Sequence, residues 1–402
     1  MTLKHFRYIF RNARRNPVRT ILTIASTAIC LFLMMILLAF FAINDEVAVE
    51  SRIYNRIVTM NANGFAGMVP ISFVGEVSKL DGVVAATPFS WFGGKYHDEV
   101  MPFSQFAVDA ETIFTVMDEL TVAPDQLEAF KENKDGCVIG CKLARDRQLK
   151  VGDPLPLKGD LYPVDMNLTV RGIYSGPART DQRMCLFRFD YFDEALKRVT
   201  MSSASGGSLA PASAKRSGNA GTIFIKCKTA DIMPSLGKKI DDLYRNSDFP
   251  TRTQTEEAFS KMFADMLGDL KSAIYGIGLA VVVALLFVAG NAMAIAMRER
   301  TTEVAVLKAI GFSKGLVLFL VLTEAVVVAG LGGAIGALGS KAFFDYVDIA
   351  PYTGGFLPFF YVSWNIALFG LGVSLFVGFA SGLFPALLAA NSSVINGLRK
   401  VV

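Results

Sequence analysis

Four long runs almost free of charge decide what this chain can become. Residues 21–43, 274–297 and 356–390 carry no Asp, Glu, Lys or Arg, and residues 316–340 carry a single one, Glu324. A helix needs roughly 20 apolar residues to cross the hydrocarbon core of a bilayer, so the first, second and third runs each suit one crossing. The last run is too long for one straight crossing and too short for two crossings and a turn. It reads as one span beginning near Pro358 and ending near Pro385. A cleaved leader does not fit the first run, whose apolar core is longer than the roughly 7–15 residues of a signal peptide and is followed by no A-x-A site. Composition agrees with a membrane protein that has a large water-exposed part. Of 402 residues 52% are hydrophobic and 19% charged, against about 25% charged in ordinary soluble domains. The net charge of +4 is too small to point to nucleic acid.

Lysine and arginine asymmetry orients the spans. The opening carries Lys4, Arg7, Arg11, Arg14, Arg15 and Arg19 without an acid. The segment between the second and third runs carries Arg298, Arg300, Lys308 and Lys314 against Glu299 and Glu303, and the tail carries Arg399 and Lys400. The short segment between the third and fourth runs has Lys341 against Asp345 and Asp348. Basic segments stay in the cytoplasm, so both termini are expected inside and residues 44–271 outside, which in the inner membrane of a bacterium means the periplasm or cell exterior.

The expected fold is therefore α-helical in the membrane, with four transmembrane helices and a large α+β periplasmic domain on a helical stalk. Residues 1–17 read as a cytoplasmic amphipathic helix, with Leu3, Phe6, Ile9 and Phe10 on one face against anionic membrane lipid. Residues 18–58 read as the first span continuing into a stalk helix, 59–254 as the periplasmic domain, and 255–297 as a second stalk helix running into the second span. Residues 298–314 form a cytoplasmic helical loop, and 315–402 the last two spans and the tail. Within the periplasmic part, strands are expected at 83–88, 137–139, 168–174, 184–189 and 222–228, with a turn at 151–154 opening another. Helices are expected at 110–120, 123–131, 141–148, 191–198 and 231–246. Residues 201–221, rich in Gly, Ser and Ala, read as a flexible surface loop.

The loop at 298–314 is the most informative segment. Val304, Leu307 and Ile310 fall on one helical face and Gly311 is a natural helix stop. Such a helix suits a groove on a soluble partner, or it is a plain connector. In the third run Gly332, Gly336 and Ser340 recur four apart, the spacing that lets membrane helices approach closely. Glu324 lies about 13 Å into that run at ~1.5 Å per residue, where an ionisable group is a functional candidate, or a hydrogen bond to a neighbouring helix. The thiols Cys137, Cys141, Cys185 and Cys227 fall in the external part, where pairing and burial as free thiols both remain open. The chain has no G-x4-G-K-[ST], G-x-S-x-G or H-E-x-x-H motif, and no catalytic or metal site is singled out.

These segments together resemble the permease subunits of the MacB/FtsX/LolC–LolE group of ABC transporters. "RERTTEVAVLKAIGFSKG" followed by "TEAVVVAGLGGAIG" is similar to the family's R-x-R-x-x-E-[IV]-x-[VI]-L-[KR]-A-[ILV]-G with E and G-G-x-x-G beyond it. "RNARRNPVRTILTIASTAI" resembles its opening and "SGLFPALLAANSSVINGLRK" its tail, while "CVIGCKLARDRQLKVGDPLPL" and "LTVRGIYSGP" resemble the MacB-type periplasmic domain. The resemblance implies a permease dimer, homomeric or heteromeric. It implies a separate cytoplasmic ATPase subunit holding ATP and Mg, since only about 20 residues precede the first run. The permease itself would be no enzyme and hold no cofactor. Glu303, Val304, Leu307, Lys308 and Gly311 would lie at the docking surface of a coupling helix. A MacB-like exporter, with a periplasmic adaptor and an outer-membrane channel, is the leading expectation. LolC/LolE-like lipoprotein release and FtsX-like signalling to a cell-wall hydrolase are the alternatives. Ser392-Ser393-Val394, where many relatives have Asp-Pro, and the 201–221 segment depart from the pattern.

Overall fold

The computed structural model describes residues 17–97, 99–100, 102–177, 180–205, 216–265, 268–349, 352 and 360–394. The expected amphipathic helix at 1–17 lies outside them but for Pro17. The chain forms two compact units, one of Met1–Ile43, Leu267–Val347 and Tyr361–Val402, the other of Asn44–Met266 and Asp348–Phe360.

The first unit holds four helices long and apolar enough to cross a membrane, Pro17–Phe40, Ser272–Glu299, Lys314–Tyr346 and Trp364–Asn391. Pro17 opens the first of them, where its missing N–H costs nothing. The second span is the least buried of the four. The third packs against both the first and the fourth. A Cβ on its Gly332 or Gly336 would run into Thr27 or Ala28 of the first span, and one on Gly333 would run into Ser374 of the fourth. Small residues on two faces thus let one helix pack closely against two neighbours. The fourth span differs from expectation at both ends. It starts at Trp364, where the Ser363 hydroxyl accepts a hydrogen bond from the Ile366 N–H at 3.4 Å. It also runs through Pro385 to Asn391. Pro385 and Ala386 are buried, and that packing holds the helix together where proline removes one backbone bond.

The second unit is built on a nine-stranded sheet: β1 (Arg56–Asn61), β2 (Val83–Trp91), β3 (Gln105–Val108), β4 (Gly136–Gly140), β5 (Pro154–Leu157), β6 (Met166–Tyr174), β7 (Cys185–Arg188), β8 (Thr222–Cys227) and β9 (Thr251–Thr255). The order across the sheet is β9-β1-β8-β2-β3-β7-β4-β6-β5. The β3/β7 and β4/β6 pairs are parallel and the remaining pairs antiparallel. Alternation sorts side chains to the two faces. Ile57, Ile223 and Ile225 pack under the helices Ser72–Val77 and Met233–Tyr244, while Val58 and Phe224 join Ile113, Val116 and Phe130 in a separate cluster. All six residues of β1 are buried, as a strand covered on both faces requires.

The expected helical stalk to residue 58 is corrected here. The first helix ends at Glu50, a 3-10 turn occupies Ser51–Tyr54, and β1 follows. The expected helix at 110–120 shrinks to Ile113–Val116, and the strands β1, β3 and β9 and the helix Ser72–Val77 are additions. The 201–221 segment is not one loop. The helix Phe189–Ser205 takes its first residues, and Asn219–Ala220 pairs with Val69–Pro70. All five cysteines are free, with Cys137, Cys185 and Cys227 buried.

A buried ionic cluster closes one edge of this unit. Arg56 Nη1 lies 2.7 Å from Glu119 Oε2, and its Nε lies 2.6 Å from Glu256 Oε2. Arg56 is 3% exposed and stacks over the Tyr54 ring. Burial raises the Glu256 pKa against the opposing pull of Arg56, while for Arg56 burial pulls the pKa down and the two carboxylates together outweigh it, leaving it raised.

Candidate functional site

Between the second and third spans the chain forms a short helix, Thr301–Ala309. Its end is fixed by Gly311, which adopts φ +105°. The Gly311 N–H donates to the Lys308 carbonyl at 3.1 Å and the Phe312 N–H to the Leu307 carbonyl at 3.1 Å. This is the paired bonding of a helix that stops on a left-handed glycine.

At the other end Arg300 serves as N-cap, with no side-chain cap bond. Its side chain goes elsewhere. Arg300 Nη1 donates to both oxygens of Glu324, at 2.7 and 2.8 Å. Arg300 is 7% and Glu324 8% exposed. Glu324 is therefore one half of a buried ion pair between the short helix and the third span. A hydrogen bond to a neighbouring helix is one of the roles expected for Glu324, and Arg300 is the partner that the sequence pattern does not single out.

Lys308 is also anchored. Its ammonium donates to the Ala390 carbonyl at 2.6 Å and the Ser392 carbonyl at 2.7 Å, groups at the C-terminal end of the fourth span, where a helix leaves carbonyls without internal partners. Burial, with a smaller contribution from Lys314, lowers the Lys308 pKa.

The remaining candidates divide by helical face. Val304 is buried and Leu307 half-buried, and with Glu303 both line a groove closed by Val317, Leu320 and Val321 of the third span. Val306, at 42% exposure, Ala309 and Ile310, at 72%, point away from the bundle. The expected face of Val304, Leu307 and Ile310 is therefore split, with the first two turned inward. Val304 and Lys308 are engaged within the unit, and the apolar surface left open is Val306, Ala309 and Ile310. Gly311 is exposed and shapes the helix end. Gly332 and Gly336 lie against the first span, and Ser340 is fully buried, its hydroxyl donating to the Ala337 carbonyl at 2.8 Å. Beside this site Arg19 of the first span pairs with Glu299 at 2.8 Å. Among the described residues no cluster of three or more His, Cys, Asp or Glu is arranged to hold a metal.

Residues 273–394, which contain the short helix and the last three spans, match the family model for the FtsX-like permease C-terminal domain. Over 420 aligned positions the chain is 22% identical to the uncharacterized ABC transporter permease MJ1507 of Methanocaldococcus jannaschii, covering 98% of this chain and 96% of that one. Along its length the chain is thus similar to an ABC transporter permease, and in its C-terminal part to the FtsX-like permease domain. It is also 31% identical over 157 residues to the uncharacterized ABC transporter permease YvrN of Bacillus subtilis, covering 39% of this chain and 35% of the relative. Among solved structures, the extracellular domain of the noncanonic ABC-type transporter YknZ from Gram-positive bacteria matches 50% of this chain and all of that domain, at 16% identity and a TM-score of 0.34.

Proposed function

We propose that the permease couples ATP hydrolysis by a separate cytoplasmic ATPase, which holds ATP and Mg, to movement of its α+β domain, and that this movement exports a substrate taken from the periplasm or the outer leaflet. One observation carries the reading: the helix Thr301–Ala309 is fixed at both ends within the bundle yet leaves an apolar face of Val306, Ala309 and Ile310 open. An apolar patch rimmed by charged residues such as Arg298 and Lys314 suits a surface that a partner covers. The cytoplasmic assignment of that end rests on its basic residues, Arg19, Arg298, Arg300, Lys308 and Lys314. In this reading both termini are cytoplasmic, the α+β domain is external, and the permease works as a homo- or heterodimer. An adaptor and an outer-membrane channel would receive the substrate.

Gentle purification from native membranes, with mass spectrometry of all bound proteins, tests this. A bound P-loop ATPase with a periplasmic adaptor supports export. An ATPase with a second permease and lipoproteins would replace export by lipoprotein release. An ATPase with a cell-wall hydrolase would replace it by signalling. No bound ATPase would overturn the coupling itself.

A further inference from the structure

We infer that Arg300 and Lys308 are positioning residues that join the short helix, the third span and the fourth span into one moving body. The functional half of this inference rests on the coupling proposed above, but the mechanical half does not.

The first latch is the Arg300–Glu324 pair. One guanidinium nitrogen bridges both carboxylate oxygens in a site almost closed to water. Drawing such a pair apart leaves two uncompensated buried charges, so the first turn of the short helix cannot slide along the third span without a large cost. The second latch is Lys308, which joins the last turn to the Ala390 and Ser392 carbonyls. A cation is favourable there because the terminal carbonyls carry the negative end of the helix dipole. Between the latches Val304 and Leu307 line the groove against the third span.

The link toward the first span is of another kind. Arg19 reaches Glu299, whose side chain is 49% exposed, and a solvated pair of this sort holds little. Force applied at Val306 and Ile310 therefore passes into the third and fourth spans in preference to the first.

Amide hydrogen exchange on the full-length permease in detergent tests the mechanical half. The variants are Lys308→Met, Lys308→Arg, Arg300→Met and the charge-exchanged Arg300→Glu/Glu324→Arg. Peptides covering 301–309 should exchange about tenfold faster in Lys308→Met at an unchanged Tm, because Lys308 is only half-buried and its loss leaves no buried charge. Lys308→Arg should restore most of the protection. Arg300→Met should loosen the same peptides and lower Tm, and the charge exchange should recover part of both. If Arg300→Met does not fold, the Lys308 pair alone decides. Unchanged protection at 301–309 in Lys308→Met overturns the latch. In the complex purified with its ATPase, Lys308→Met should still bind the ATPase while the ATP-dependent change in exchange of the third and fourth spans falls several-fold. An ATP response equal to wild type would overturn the transmission role. Absence of any ATPase would overturn the proposed function and leave the exchange result on the isolated permease standing.

Discussion

Gly336 of the third span and Ala28 of the first approach so closely that a Cβ on the glycine would stand 2.5 Å from the Ala28 carbonyl oxygen. The obstacle is backbone, which cannot rotate away. Gly336→Ala should therefore force the two helices apart and cost about 1–3 kcal/mol, the usual penalty of overpacking. Gly339→Ala and Gly372→Ala meet nothing within 4 Å and should be neutral or stabilising by up to ~1 kcal/mol through helix propensity. Thermal unfolding in one detergent compares the three. Equal effects at Gly336 and Gly339 would show that the close approach does not limit packing.

The two faces of the short helix should respond differently to charge. Ile310→Asp places a carboxylate where the side chain is already 72% exposed, so the permease should fold with its normal Tm but lose a bound ATPase on purification. Val304→Asp buries a carboxylate in the groove and should lower Tm by several degrees. Retention of the ATPase by Ile310→Asp would exclude this face as the docking surface.

Arg56 neutralises two carboxylates at the edge of the α+β unit. Arg56→Met leaves Glu119 and Glu256 buried and facing each other, and breaking such a cluster should cost about 3–5 kcal/mol. Adding Glu119→Gln and Glu256→Gln should recover part of that loss. Chemical unfolding of the single and triple variants measures both, and a triple variant no more stable than Arg56→Met would refute the charge argument.

Asp181 supplies a pH dependence. It keeps part of its surface in solvent, but its carboxyl is densely surrounded. Burial pushes its pKa up to about 6, against the Arg183 backbone N–H and the charges of Arg183 and Lys142. An unfolded aspartate titrates near 3.9. Between about pH 4 and 6 the folded protein holds a proton that the unfolded chain releases, so this group's contribution to stability is lost as pH rises. Asp181→Asn keeps an acceptor for the Arg183 N–H, now 2.8 Å from Asp181 Oδ1. It should raise Tm at pH 7.5 and have no effect near pH 4. A Tm gain that is constant across this range would rule the carboxyl out.

What the sequence made legible follows from the distance over which each signal acts. The four spans are local, since a run without charge has few other places to go, and the strands at β2, β4, β6, β7 and β8 announce themselves by β-branched and aromatic residues. The strand β1 does not. Ile53, Tyr54 and Ile57 happen to continue the helical spacing of the first span, and only its neighbours β8 and β9, far along the chain, make Arg56–Asn61 extended. The start of the fourth span was hidden for a related reason, because hydropathy continues across the Ser363 cap. Glu324 stood out as a charge among apolar residues, whereas Arg300, its partner, looked like one more basic residue in a cytoplasmic loop. The register between a loop helix and the span that follows is set by packing and cannot be counted along the chain. Lys308 shows the same limit, since its bonds reach residues 82 and 84 positions away.

The sheet of the α+β unit has one further implication. Its first strand after the first span, β1, and its last before the second, β9, lie side by side at one edge, with Ile57 opposite Thr255. The stretch of chain between the first and second spans thus enters and leaves the sheet at neighbouring strands. A domain whose ends meet can be lifted out and replaced by another with the same spacing. Evolution, or a protein engineer, can therefore exchange the stretch between these two strands and leave the span-to-span packing at Gly332, Gly333 and Gly336 unchanged.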